Sequence, residues 1–191
     1  MVSLSVVLVV LGVLAGLARG GKVSNITIAR FRFPLFVFAG LAMQIGAELY
    51  AIFGDLSLRK SGWGFLILAA SYALLVSFVV ANFRMQGMLV MGLGLAMNLT
   101  VITLNQGMPV SLSAASAAGF DPTDYLQTAV KHRRLGPSTQ LPFLADVIPL
   151  PGLRKVISPG DVLFGLGIFF LVEGLVRYQP KRLGAATAST S

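Results

Sequence analysis

Five apolar runs, residues 2–18, 34–53, 63–81, 85–104 and 161–178, dominate this sequence, and each comes near the ~20 residues an α-helix needs to cross a bilayer. In lipid a backbone must satisfy its own N–H and C=O groups, so runs of this length commit the chain to helices. The expected fold is all-α: one integral membrane domain over residues 1–191, a polytopic bundle of about five transmembrane helices. One long polar segment, residues 105–160, separates the fourth and fifth runs. The tail after Arg182, residues 183–191, is rich in Ala, Ser and Thr and reads as disordered.

Composition supports the same class. Of 191 residues 55% are hydrophobic and 12% charged, with a mean hydropathy of +0.82, values foreign to an ordinary soluble domain. A net charge of +8 raises the question of nucleic acid. The Lys and Arg residues, however, stand at the ends of apolar runs, where they orient the chain and attract anionic headgroups. Membrane lipids are the expected partners, and nucleic acid is not. With no cysteine and one histidine, neither a disulfide nor a thiolate or multi-histidine metal centre is expected, and no cofactor is implied.

The first run is followed, not preceded, by positive charge, which favours an uncleaved span over a signal peptide although Gly16-Leu17-Ala18 resembles a cleavage site. Placing the first loop inside puts Arg19, Lys22, Arg30, Arg32, Arg84, Arg177, Lys181 and Arg182 in the cytoplasm, against Arg59 and Lys60 in the short outer loop. The N-terminus is thus expected outside and the C-terminus inside, with the long segment facing out. Gly12, Gly16 and Gly20 recur every fourth residue, a spacing that admits a close neighbour helix. Packing within the bundle is the simpler use, homo-oligomerisation the other.

Several spans carry polar groups. Gln44 and Glu48 lie one turn apart on the second, with Asp55 further along the same stripe. An ionisable group in a span faces the bundle interior or a water-filled cavity, so Glu48 is either a ligand-binding group or a lock between helices. Asn98 precedes Asn105 by seven residues, as Glu48 precedes Asp55. Both therefore sit roughly 10 Å below the outer boundary. Glu173 stands four residues before Arg177 and pairs with it most simply. Asp161, after Ser158-Pro159-Gly160, is suited to cap the last helix.

The polar segment has parts. Gly107 and Pro109 end the fourth helix, leaving carbonyls for Asn105 or water to satisfy. Residues 111–118 are small and weakly helical. Asp121-Pro122-Thr123-Asp124 then gives a helix start signal, predicting a short amphipathic helix to about Arg134 with Lys131 and His132 near its end. Three prolines among residues 141–151 specify a stiff extended return that packs into the mouth of the bundle. Asp146 within it needs a partner; Lys131, His132 or an asparagine of the fourth span are available.

Asn105-Gln106-Gly107-Met108-Pro109-Val110, Lys131-His132, Thr139, Leu144-Ala145-Asp146-Val147-Ile148-Pro149-Leu150-Pro151 and Ser158-Pro159-Gly160-Asp161-Val162 together resemble the signature of a bacterial family of small multi-pass membrane proteins of unknown function. The resemblance implies a protein of the bacterial plasma (inner) membrane and points to Asn105, Lys131, His132, Asp146 and Asp161 as a unit. It brings no activity.

Three functions follow. The first is a ligand- or partner-binding membrane module with an outward-facing polar pocket, bound by Asn105, Lys131, Glu48, Asn98 and Gln44. The second is a hydrolase or transferase acting on a lipid-linked substrate, with Asp146 and Asp161 as a proton-sharing pair and His132 beside them. The motifs of bacterial lipoprotein signal peptidase, which uses such a pair, are absent. The third, a transporter, requires a polar path across the whole membrane, and Gln44, Glu48 and Asn98 reach only its outer half.

Overall fold

The computed structural model describes residues 4–53, 62–121 and 132–178, apart from the side chains of residues 48, 51–53 and 62. The first four apolar runs form α1 (Leu4–Ala18), α2 (Leu35–Phe53), α3 (Gly62–Ala81) and α4 (Met88–Asn105). The polar segment contributes a short α5 (Leu112–Ala117), and the last run forms α6 (Pro159–Arg177). Trp63–Ala81, Met88–Asn105 and Pro159–Arg177 are long and apolar enough to cross a membrane; Leu4–Ala18 and Leu35–Ala47 are shorter apolar helices. Large apolar side chains stay on the outside, with Leu35 at 75% and Leu89 at 69% exposure. Such continuous apolar surface marks contact with a partner or a membrane.

The long helices pack in the order α2, α3, α4, α6, α1. Phe78 and Val79 of α3 and Met88, Met91 and Leu95 of α4 form the core, with Phe164, Ile168 and Leu171 of α6 against it. Glycine sets the closest approach. Gly94 lies against the backbone of Gly160 and Phe164, and Gly87, at the N-cap of α4, against that of Gly167, so two glycines seven residues apart meet glycines seven apart on antiparallel α6. A Cβ at Gly167 would stand 2.5 Å from the Met91 nitrogen, closer than a side chain tolerates. Gly12 and Gly16 of α1 face Val172 and Val176 of α6, the within-chain use of that spacing; a Cβ at Gly20 would meet nothing within 4 Å.

At the end where α1 finishes and α2 begins, a 3-10 turn (Val23–Ile28) is tied to α6: the Lys22 amide and the Asn25 side chain both donate to the Val176 carbonyl, at 2.9 and 2.8 Å. Buried Asn82 accepts from the Arg32 amide at 2.8 Å and donates to its carbonyl at 2.9 Å. Glu173 does pair with Arg177, at 2.9 Å, but also accepts from Arg19 at 3.0 Å and Gln86 at 2.8 Å.

The polar segment caps the other end, and here the all-α expectation needs correcting. Among the described residues four three-residue strands form: β1 (Met108–Val110) pairs in parallel with β2 (His132–Arg134), and β3 (Ile148–Leu150) pairs antiparallel with β4 (Lys155–Ile157). The chain leaves α4 through left-handed Gln106, φ 53°, and Gly107, φ 148°, which turns it sharply into β1. The predicted helix to Arg134 does not reach that far, because residues 132–134 are a strand whose backbone satisfies β1. Its body, residues 122–131, lies outside the described residues, as do Asp55 and the tail. On the other edge of β1 the Asp146 amide donates to the Pro109 carbonyl at 2.9 Å, and the Ser111 amide to the Asp146 carbonyl at 3.0 Å. The expected extended path after Leu141 holds at β3, after one 3-10 turn over Pro142–Leu144.

Candidate functional site

Ser158, not Asp161, caps α6. Pro159 needs no N–H partner in the first turn, and the Ser158 hydroxyl accepts from the Asp161 amide at 3.0 Å while the Asp161 carboxylate accepts from the Ser158 amide at 3.2 Å. The reciprocal pair is a capping box, so the helix starts two residues before the expected boundary. Asn98, 4% exposed in α4, closes the arrangement. Its amide donates to the other Asp161 oxygen at 2.8 Å, and its carbonyl accepts from the Ser158 hydroxyl at 2.9 Å. Gly160 makes this possible, since any Cβ there would collide with the Asn98 carbonyl.

Asp146 is placed by its own backbone on β1, and His132 by β2, so the two side chains meet across the small sheet. His132 Nε2 lies 3.6 Å from Asp146 Oδ2, with both side chains under a tenth exposed. That separation is longer than a hydrogen bond. Of the described candidate partners for Asp146, the fold brings the histidine close.

Between these groups opens a pocket of about 470 Å³. Gln44, Asn98, His132, Asp146 and Asp161 all line it. So do Leu4 of α1 and Leu41 of α2, the helices at the two ends of the packing order. Gln44 donates to Ser71 at 3.0 Å, and the buried Ser71 hydroxyl donates to the Leu68 carbonyl at 2.7 Å. Asn105 is elsewhere. Its amide donates to the Val101 and Gln140 carbonyls at 2.9 and 3.0 Å and its carbonyl accepts from the Gln140 amide at 2.9 Å, so it terminates α4 and pins the return segment. Lys131 and the side chain of Glu48 lie outside the described residues.

Sequence reasoning passed over several lining residues. Tyr72 of α3 is one of them. Phe120, Arg154 and Lys155 line the pocket too. Arg154 donates to the Gly119 carbonyl at 3.0 Å and lies over the Phe120 ring, 5.6 Å from its centre. The β3–β4 hairpin carries this basic pair to the site, and Pro151-Gly152 was its signal in the sequence. Among the described residues no group of three or more His, Cys, Asp or Glu side chains is arranged to hold a metal ion.

A family model described as a family of unknown function, DUF5317, matches residues 28–173. The chain belongs to the DUF5317 family. An uncharacterised protein of Thermotoga maritima is 31% identical over 144 residues, covering 72% of this chain and 81% of that protein. No solved structure matches. The DUF5317 match runs from before α2 to Glu173 and so includes the pocket's polar residues other than Ser5, which lies on α1 before it.

Proposed function

We propose that this DUF5317 protein is a membrane-embedded binding module that holds an amphiphilic ligand in the polar pocket. In this reading all five long helices cross a bacterial plasma membrane. α1 and α2 run beside three helices of spanning length and share their apolar surfaces. The Lys and Arg count puts the N-terminus and the cap outside and the C-terminus in the cytoplasm.

The observation that carries the proposal is the make-up of the pocket: a buried imidazole–carboxylate pair, His132 and Asp146, a basic pair, Arg154 and Lys155, and apolar Leu4, Leu41 and Leu95. Convergent polar groups beside apolar side chains in one concavity are what small-molecule sites have. The mixture suits a molecule with a polar head and an apolar body. Binding is favoured over hydrolysis by the state of Asp161. Both of its oxygens accept hydrogen bonds within the capping box and from Asn98, which leaves it poorly disposed to activate water with Asp146.

Native mass spectrometry of the purified chain, extracted with its surrounding lipid, tests the reading. The wild type should retain a bound amphiphile that His132→Ala and Asp146→Asn release. Equal retention by both variants would remove the pocket as the site. Orientation is tested by cysteine labelling at Ser113 and Ser189, since the chain has no cysteine. An impermeant reagent added outside should label S113C and not S189C; the opposite pattern reverses the topology.

A further inference from the structure

At the other end of the bundle a cleft of about 630 Å³ opens between the 3-10 turn, the α3–α4 connection and the last turns of α6. Arg30, Arg84 and Gln86 line it together with Met85, Leu171 and Tyr178. Its charge is unbalanced. Among the described residues Glu173 is the one acid at this end, and it is 1% exposed with its carboxylate taken by Arg19, Arg177 and Gln86. Arg30 and Arg84 have no carboxylate partner among the described residues. Arg84 instead lies over the Phe83 ring, 5.4 Å from its centre. α4 begins at Met88 with no side-chain cap, so the positive end of its dipole adds to the same field.

We propose that this cleft is a second site, specific for the phosphate headgroup of an anionic membrane lipid. Arg30 and Arg84 supply the counter-charges that no carboxylate of the described chain neutralises, and Met85, Leu171 and Tyr178 give the glycerol and upper acyl chain an apolar wall. A soluble anion would gain nothing from that wall. Basic pockets between membrane helices on the cytoplasmic side bind lipid headgroups in this way. The inference rests on the membrane-spanning reading and not on the polar pocket, so failure of either site leaves the other standing.

The test uses the full chain purified in detergent and titrated with phosphatidylglycerol, with phosphatidylcholine, and with inorganic phosphate, retained lipid being counted by native mass spectrometry. Wild type should retain phosphatidylglycerol in preference to phosphatidylcholine. An arginine at an anionic surface contributes roughly fivefold in affinity, so the double variant R30Q/R84Q should bind about 30-fold more weakly. R30K/R84K, which keeps the charge, should hold most of the affinity and show that loss is not misfolding. Arg32→Gln, exposed and outside the cleft, should bind as wild type does. Equal retention of the two lipids, undiminished binding by R30Q/R84Q, or displacement of the lipid by millimolar inorganic phosphate would each overturn the proposal.

Discussion

Replacing Asn98 by Ala should destabilise the protein by an amount the geometry lets one work out. Asn98 makes one bond to a carboxylate, at 2.8 Å to Asp161, and one to a neutral hydroxyl, at 2.9 Å from Ser158. Hydrogen bonds to charged groups contribute roughly 1.5–3 kcal/mol and neutral ones about 1 kcal/mol. Interhelical bonds inside membranes average only ~0.6 kcal/mol, because the separated helices find other partners. Here neither lost partner has an easy substitute: Ser158 is fully buried, and the Asp161 carboxylate is held in place by the capping box. The expected loss is therefore about 3 kcal/mol, or roughly 6–12 °C in melting temperature for a chain of this size. Asn98→Asp sharpens the test. It keeps the acceptor for Ser158 but sets a second carboxylate against Asp161, so it should cost at least as much as Asn98→Ala. Reversible unfolding in mixed micelles gives both values, with Leu93→Ala, 56% exposed on the apolar outer surface, as the reference. An Asn98→Ala loss under ~0.6 kcal/mol, or an Asn98→Asp variant as stable as wild type, would refute the coupling of α4 to the start of α6.

Three further outcomes can be checked. Gly160→Ala should destabilise, although alanine in place of glycine normally favours a helix by about 1 kcal/mol, because the new Cβ collides with Asn98; thermal unfolding that shows a gain would dispose of the tight crossing. Asn105→Ala should speed hydrogen exchange at the Gln140 amide, which donates to the Asn105 carbonyl at 2.9 Å, while leaving amides in the middle of α3 unchanged. A double-mutant cycle between Arg19→Ala and Glu173→Ala should give a coupling of about 1 kcal/mol or less, since the Arg19 side chain is 65% exposed and solvent screens the pair. A coupling several times larger would mean that Arg19 is shielded from solvent.

Part of the candidate site was legible before any coordinates. Gln44 and Asn98 share one pocket with His132, Asp146 and Asp161, because polar residues in apolar helices face inward, whereas His132 and Asp146 reach it by strand pairing with β1. Asn105 was legible for its helix-ending role and not for its place, which lies outside the pocket lining. The small sheet was missed. Three-residue strands leave almost no periodic pattern, and His132 followed a stretch with a convincing helix start. Tyr72 and Arg154 were passed over for a related reason: each is ordinary in its own segment, an aromatic in an apolar span and a base in a loop, and acquires meaning only from its neighbours.

The sequence by itself determined the helical character of this protein, the ends of its apolar helices to within a few residues, and the concentration of charged and polar groups in one segment. These follow from local chemistry: apolar length, proline and glycine punctuation, and the cost of leaving polar groups unpartnered in an apolar setting. The tertiary structure alone decided that Asp146 meets His132, that Asp161 is closed into a capping box with Ser158 and Asn98, and that glycines on α4 and α6 meet in register. Those contacts join residues far apart in the chain. Local preference is silent about them, because they depend on which helix faces lie together and on how closely glycine lets the backbones approach.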